Sequence, residues 1–263
     1  RIEDGGGGYT QFEIDRANYQ LNMLERANRA LFYLSAGTEL EARAVEEVFS
    51  TTFDLDDGAI VHLNELLAHS TGAYTLRENA SVNAPMLTTM TDVAMDMSTG
   101  STFSAPLLTE FSGSEVSLRS DRSFDTGALT DIDNSRFGAE GGVEWGAGLG
   151  DLLATSYSST GLWSRTSRTD QNNATYNWYL FDASGTGTVL DLSSLQSIDA
   201  GFDDNDRDRN YQWIRALDNA VVDLSSVESI EGPGGYGSEG EDRLRIVMSG
   251  GGLVNLSGLK RIE

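Results

Sequence analysis

Between Phe53 and Leu153 the apolar residues of this chain recur every 21 positions. Phe53, Tyr74, Met95, Val116 and Phe137 form one series, and Leu55, Leu76, Met97 and Leu118 another. Val61, Val82, Phe103, Phe124 and Trp145 form a third, Leu66, Leu87, Leu108 and Leu129 a fourth, and Met90, Phe111, Ile132 and Leu153 a fifth. A fixed period held without a gap marks a repeat architecture, in which each copy buries its apolar positions against its neighbours.

One copy reads apolar-x-small/apolar-x-x-apolar-x-x-apolar, as in Val82, Ala84, Leu87 and Met90. The pattern returns at Leu190, Leu192, Leu195 and Ile198, at Val222, Leu224, Val227 and Ile230, and at Val254, Leu256, Leu259 and Ile262, now spaced by 32. The added residues fall after the last apolar position, in Asp199–Gln212 and Glu231–Arg243, with a smaller insertion in Glu3–Gln11. Insertions at one place in a repeat stack on one edge, which would carry Tyr9, Tyr211 and Tyr236. Three residues before each opening apolar position stand Gly37, Gly58, Asn79, Gly100, Asp121, Gly142, Gly187, Asn219 and Gly251. All are residue types that tolerate a left-handed backbone, so they predict a ladder of equivalent turns.

A 21-residue copy with alternating apolar pairs is too short for two helices, and it lacks the Asn of the leucine-rich strand motif. The expectation is an all-β fold: a single-stranded parallel β-helix, or β-solenoid, of about ten or eleven rungs and ~50 Å length, right-handed as a prior. One continuous solenoid is expected over residues 1–263. Residues 1–52 would be N-terminal rungs or a helical cap, because 15–48 are rich in Ala, Glu, Leu and Arg yet keep the apolar phase. Residues 53–153 are regular 21-residue rungs, 154–189 an irregular rung with a long polar loop, and 190–263 the 32-residue rungs with stacked insertions.

Composition narrows the partners. The net charge is -23, from 41 acidic and 18 basic residues, which disfavours nucleic acid and anionic membrane surfaces. There is no cysteine, so neither disulfides nor thiol catalysis arise, and no apolar run reaches the ~20 residues that span a bilayer. The chain opens on Arg1 with no visible signal peptide, which suggests a processed chain or a fragment.

Few clusters suggest chemistry. Asp204, Asp206 and Asp208 alternate in a way that can turn three carboxylates towards one Ca2+, although Arg207 and Arg209 interleave and no Gly or bidentate Glu follows. No other cofactor is implied. Trp163, Trp178 and Tyr179 are candidates for stacking on sugar rings. Of the two histidines, His62 should face out and His69 should occupy the inward place of Met90 and Phe111. Thr88, Thr109 and Thr130 form a short outward ladder. No catalytic constellation stands out.

Ser81–Thr91, Ser101–Ser112 and Ser123–Asp133 share the form apolar-x-small-Pro/Gly-x-Leu-Thr-x-apolar. With the Leu-x-Leu-Ser-Ser-Leu-x-Ser-Ile units near the C-terminus, this resembles the repeats of large bacterial extracellular or cell-surface β-solenoid proteins of adhesin or fibre type. The resemblance implies an extracellular or cell-surface structural role. The ends suggest how: Arg1, Ile2 and Glu3 recur as Arg261, Ile262 and Glu263, with Ile2 and Ile262 at one repeat position. With Leu259 they form a candidate end-to-end interface, for another copy or a tandem repeat. The alternative is a carbohydrate-active β-helix enzyme or glycan-binding module that takes a polysaccharide at the 154–181 loop and the insertion edge.

Overall fold

The computed structural model describes residues 10–14, 18–162, 175–201, 209–233 and 242–263. It is all-β: no α-helix occurs among the described residues, and their strand pairs are parallel. The chain divides into two compact units, Arg1–Leu129 and Thr130–Glu263.

The first unit contains β1 (Thr10–Ile14), β2 (Tyr19–Gln20), β3 (Arg26–Asn28), β4 (Ala30–Leu34), β5 (Glu39–Glu41), β6 (Glu47–Leu55), β7 (Ile60–His62), β8 (Ala68–Leu76), β9 (Ser81–Asn83), β10 (Thr89–Met97), β11 (Thr102–Ala105), β12 (Glu110–Ser112), β13 (Glu115–Arg119) and β14 (Ser123–Thr126). One sheet runs β1-β4-β6-β8-β10-β13, with β3 also on β6 and β12 also on β10; a second runs β14-β11-β9-β7-β5-β2. Phe32 lies opposite Phe53, Phe53 opposite Tyr74, Tyr74 opposite Met95 and Met95 opposite Val116, each 21 residues on. Only β1 differs, with Phe12 opposite Phe32 at 20.

This register stacks like on like. Phe12, Phe32, Phe53 and Tyr74 form a ladder with ring centroids 5.1, 5.0 and 5.3 Å apart and planes within 18°. The spacing follows the ~4.8 Å between strands, and each offset-stacked pair adds about 0.5–1.5 kcal/mol beyond the area it buries. Phe32, Phe53, Tyr74, Met95 and Val116 are buried, as are Leu55, Leu76, Met97 and Leu118. Phe124 departs from its series and is only half-buried. Among the described residues of 1–52 the helical alternative is not adopted: β2–β6 are strands, because Leu24, Ala27, Leu40, Ala42, Val45 and Val48 are buried at the repeat spacing. Packing outweighs the helical propensity of the segment.

A second set of left-handed residues turns the corners. Arg29, Ser50, Thr71, Asp92 and Gly113 have φ of 51, 49, 57, 61 and 60°. Ser50, Thr71 and Asp92 fall inside β6, β8 and β10, where each strand passes from one face to the next. Beside Thr71, a Cβ on Gly72 would lie 2.0 Å from the Thr51 carbonyl oxygen and 2.6 Å from His69 Nε2. The missing side chain makes room for the buried imidazole.

The second unit contains β15 (Arg136–Glu140), β16 (Glu144–Gly146), β17 (Ser156–Ser158), β18 (Thr175–Ser184), β19 (Val189–Asp191), β20 (Ser197–Asp199), β21 (Arg209–Leu217), β22 (Val221–Asp223), β23 (Ser229–Glu231), β24 (Arg243–Ser249), β25 (Leu253–Asn255) and β26 (Arg261–Ile262). Three sheets run β15-β18-β21-β24, β16-β19-β22-β25 and β17-β20-β23-β26. Partners from β19 onwards lie 32 apart, as in Leu190–Val222–Val254 and Ile198–Ile230–Ile262; β18 and β21 shift register at a bulge between Tyr179 and Phe181. Leu190, Leu192, Leu195, Ile198, Val222, Leu224, Val227 and Ile230 are all buried. Leu153 leaves its series at 57% exposure, and Leu152 is buried instead.

Truncating the centre of the aromatic ladder removes contacts on both sides of one strand. Phe53→Ala is expected to lower stability by about 3–5 kcal/mol, read as a fall in the urea midpoint, with Phe53→Leu costing well under half of that.

Candidate functional site

A strand at the end of a sheet leaves half of its backbone donors and acceptors unpaired, unless something covers them. In the second unit β24, β25 and β26 each end their sheets. The Arg261 and Glu263 amides donate back to Glu228 and Ile230 oxygens at 3.1 and 3.0 Å, so the intervening Ile262 N–H faces away from β23. The core columns stop here too. Ala216 and Ile230 are buried, while their partners Met248 and Ile262 are 54% and 69% exposed. Leu253 is also exposed, and Leu256 and Leu259 are half-buried. The local charge is unlike the rest of the chain. Residues 242–263 hold four basic residues (Arg243, Arg245, Lys260, Arg261) and two acidic (Asp242, Glu263), a balance of +2 within a chain of -23. In the first unit β1, β2 and β3 each have a single partner among the described residues, and Tyr19 and Met23 are exposed.

On the outer side of β18, β21 and β24 lies a ladder of rings and guanidiniums. Tyr179 stacks on Trp213 at 6.1 Å, Arg215 lies 4.0 Å over Tyr179, and Arg245 lies 4.0 Å over Tyr211 and 4.8 Å over Trp213. The Trp213 Nε1–H donates to Asn177 at 2.9 Å. Arg215 also grips Asp182 through two guanidinium nitrogens. Trp178 is not part of this group. It alternates with Tyr179 along β18, lies opposite the buried Gln212 and has Arg136 5.4 Å over its ring. Two of the three candidate sugar-stacking residues therefore sit on opposite faces of one strand. Trp163 lies outside the described residues, as do Arg1, Ile2, Glu3, Tyr9, Asp204, Asp206, Asp208 and Tyr236.

Eight of the nine turn-ladder positions have positive φ: Gly37, Gly58, Asn79, Gly100, Gly142, Gly187, Asn219 and Gly251. In the first unit only the third turn residue is left-handed, as at Gly37 in Ser35–Thr38, the type II pattern. Pairs such as Gly141–Gly142, Asp218–Asn219 and Gly250–Gly251 are both left-handed, the type I′ pattern. Asp121 is not left-handed: its turn closes from Arg122 N–H to the Arg119 oxygen without it.

The two histidines differ. His62 is half-buried and lies 3.1 Å from Glu39. His69 is fully buried opposite Met90. Its Nε2–H donates to the Thr51 carbonyl at 3.1 Å, leaving Nδ1 to accept from the Tyr74 hydroxyl at 3.0 Å. Burial is the main force on its titration and lowers its pKa to about 4, while the Tyr74 phenol is pushed up by the same burial. Asp133 is raised, first by burial. The Thr88 hydroxyl donates to the Leu67 carbonyl at 3.1 Å. Among the described residues no three or more His, Asp or Glu are placed to hold a metal ion, and no helix is long and apolar enough to cross a membrane. Compared with known proteins, the chain matches no family model, no curated protein and no solved structure.

The corner ladder escaped the sequence because Arg29 and Thr71 do not advertise a left-handed backbone. The ring–guanidinium ladder had a usable signal: Tyr211, Trp213 and Arg215 alternate, and Arg243 and Arg245 repeat that alternation 32 residues on.

His69 yields a pH dependence with a definite sign. Its folded pKa of about 4 lies below the ordinary 6.5, so between these values the unfolded chain holds the extra proton. Stability from this residue is intact above about pH 6.5 and falls as pH drops towards 4, by about 3 kcal/mol in all. Urea unfolding at pH 7, 5.5 and 4 should show this decline in the wild type and a shallower one in His69→Gln.

Proposed function

We propose that each unit is a parallel β-solenoid, with rungs of 21 residues through the first and of 32 in most of the second, and that the protein is a structural subunit that associates end to end. The partner is another copy or a tandem repeat of the same kind, and the setting is extracellular or cell-surface. The observation that carries this reading is the margin formed by β24, β25 and β26. There, three parallel edges end together, the core residues Met248 and Ile262 are uncovered, and the local charge turns positive in a strongly acidic chain. An edge of this kind is a template for a further strand, and a head-to-tail contact that does not close on itself makes a filament. The acidity works against association of two copies at low salt and gives the assembly a salt dependence.

Light scattering and electron microscopy across protein concentration and ionic strength test the reading. Assemblies should grow with concentration and be favoured by salt. Met248→Lys and Ile262→Pro should each weaken association by about tenfold or more, the first by charging an uncovered core position and the second by removing the outward N–H. Both should leave the melting temperature of the dilute protein within a few degrees of the wild type, since the residues are exposed. Monomers under every condition would sink the proposal.

A further inference from the structure

We infer that β24 of one copy receives β1 of the next in a single register, with Ile246 over Phe12, Met248 over Ile14 and Arg245 beside Gln11 and Glu13. This rests on the end-to-end reading and assigns its partner strand and contacts.

The register follows from where each strand meets its turn. In β4, Leu34 is the last inward residue before the turn Ser35–Thr38, and Ile14 lies opposite Leu34. In β21, Ala216 is the last inward residue before the turn Leu217–Ala220, and Met248 lies opposite Ala216. Ile14 and Met248 thus hold equivalent places in their repeats. Phe12 then matches Ile246 and Thr10 matches Leu244, all on the inward side. A slip of one residue would turn Phe12 and Ile14 outward and drive Gln11 and Glu13 into the core columns, so it is excluded by burial. A slip of two would keep the faces but break the alignment of the turns.

The outer face supplies the second argument. Arg215 lies over a ring and uses its nitrogens on Asp182, a carboxylate on the neighbouring strand. Arg245 lies over two rings in the same manner, yet no carboxylate partners it among the described residues. It stands on β24, whose far side is the open edge. In the register above, the residue set beside Arg245 is Gln11, and the Gln11 amide donates to Glu13 Oε1 at 2.9 Å. The Glu13 carboxylate is therefore held within reach of Arg245 once β1 docks. A guanidinium already stacked on rings loses little freedom on accepting a carboxylate, so the pair fixes both partner and register.

Two experiments test this. In the first, Arg245→Glu and Glu13→Arg should each weaken association by about tenfold or more, while the double variant recovers to within about threefold of wild type. In the second, Ile14→Cys and Met248→Cys variants, which leave Arg245, Gln11 and Glu13 in place, are mixed and mildly oxidised. The chain has no native cysteine, so any disulfide reports the contact, and strands ~4.8 Å apart fall within disulfide reach. This pair should cross-link at least about tenfold faster than Ile14→Cys with Ile246→Cys, which is offset by two residues. Circular dichroism and melting of each variant guard against misfolding. If the wild type assembles but the double variant does not recover and the two cysteine pairs react alike, the register is overturned while end-to-end association stands. If the wild type stays monomeric, both fall together.

Discussion

In these parallel sheets each residue lies opposite its own equivalent one period away, with hydrogen bonds to the residues flanking that equivalent, and this constraint governs both units. An inward position that is apolar in one copy is apolar in most others, because the side chains share a column. The Phe12–Phe32–Phe53–Tyr74 stack is the plainest result. Where a column changes identity, a neighbour compensates. His69 enters the column of Val48 and Met90 only because Gly72 gives up its side chain, and its two nitrogens find the Thr51 carbonyl and the Tyr74 hydroxyl. A buried polar ring is tolerated when every polar atom on it is satisfied.

Much of this was legible from residue order, since a column in space is a period in sequence. The series through Phe53, Leu55, Leu66 and Met90 pointed to burial by their spacing alone. The spacing failed where conformation was free of composition. Arg29 and Thr71 turn corners with a left-handed backbone that their side chains disfavour, so only the register around them requires it. Asp121 failed in the opposite sense, a tolerant residue at a turn that closes without a left-handed backbone. Leu153 shows the limit of a fixed period, for the chain slips by one and buries Leu152.

The site was less legible than the fold. Trp178 and Tyr179 are adjacent in sequence and therefore on opposite faces of β18, so proximity along the chain misled where the strand period separates. The grouping that does form, Tyr179 with Trp213, Arg215 and Arg245, draws on three strands and required the register to be known. Ile262, by contrast, could be placed in the column of Ile198 and Ile230 from the spacing alone, and it is uncovered there.

The strict alignment of columns also limits how such a chain changes in length. In the first unit, removing Ser81–Ser101 takes out one whole period and joins Ala80 to Thr102, leaving each remaining residue opposite a residue of its own class. Losing a single residue within a strand would turn its polar positions to the core face, whereas turns absorb other lengths, as the 20-residue step at β1 and the 32-residue steps of the second unit show. Within the strands, change by whole periods is the route that keeps every column intact, and variation in length is left to the turns.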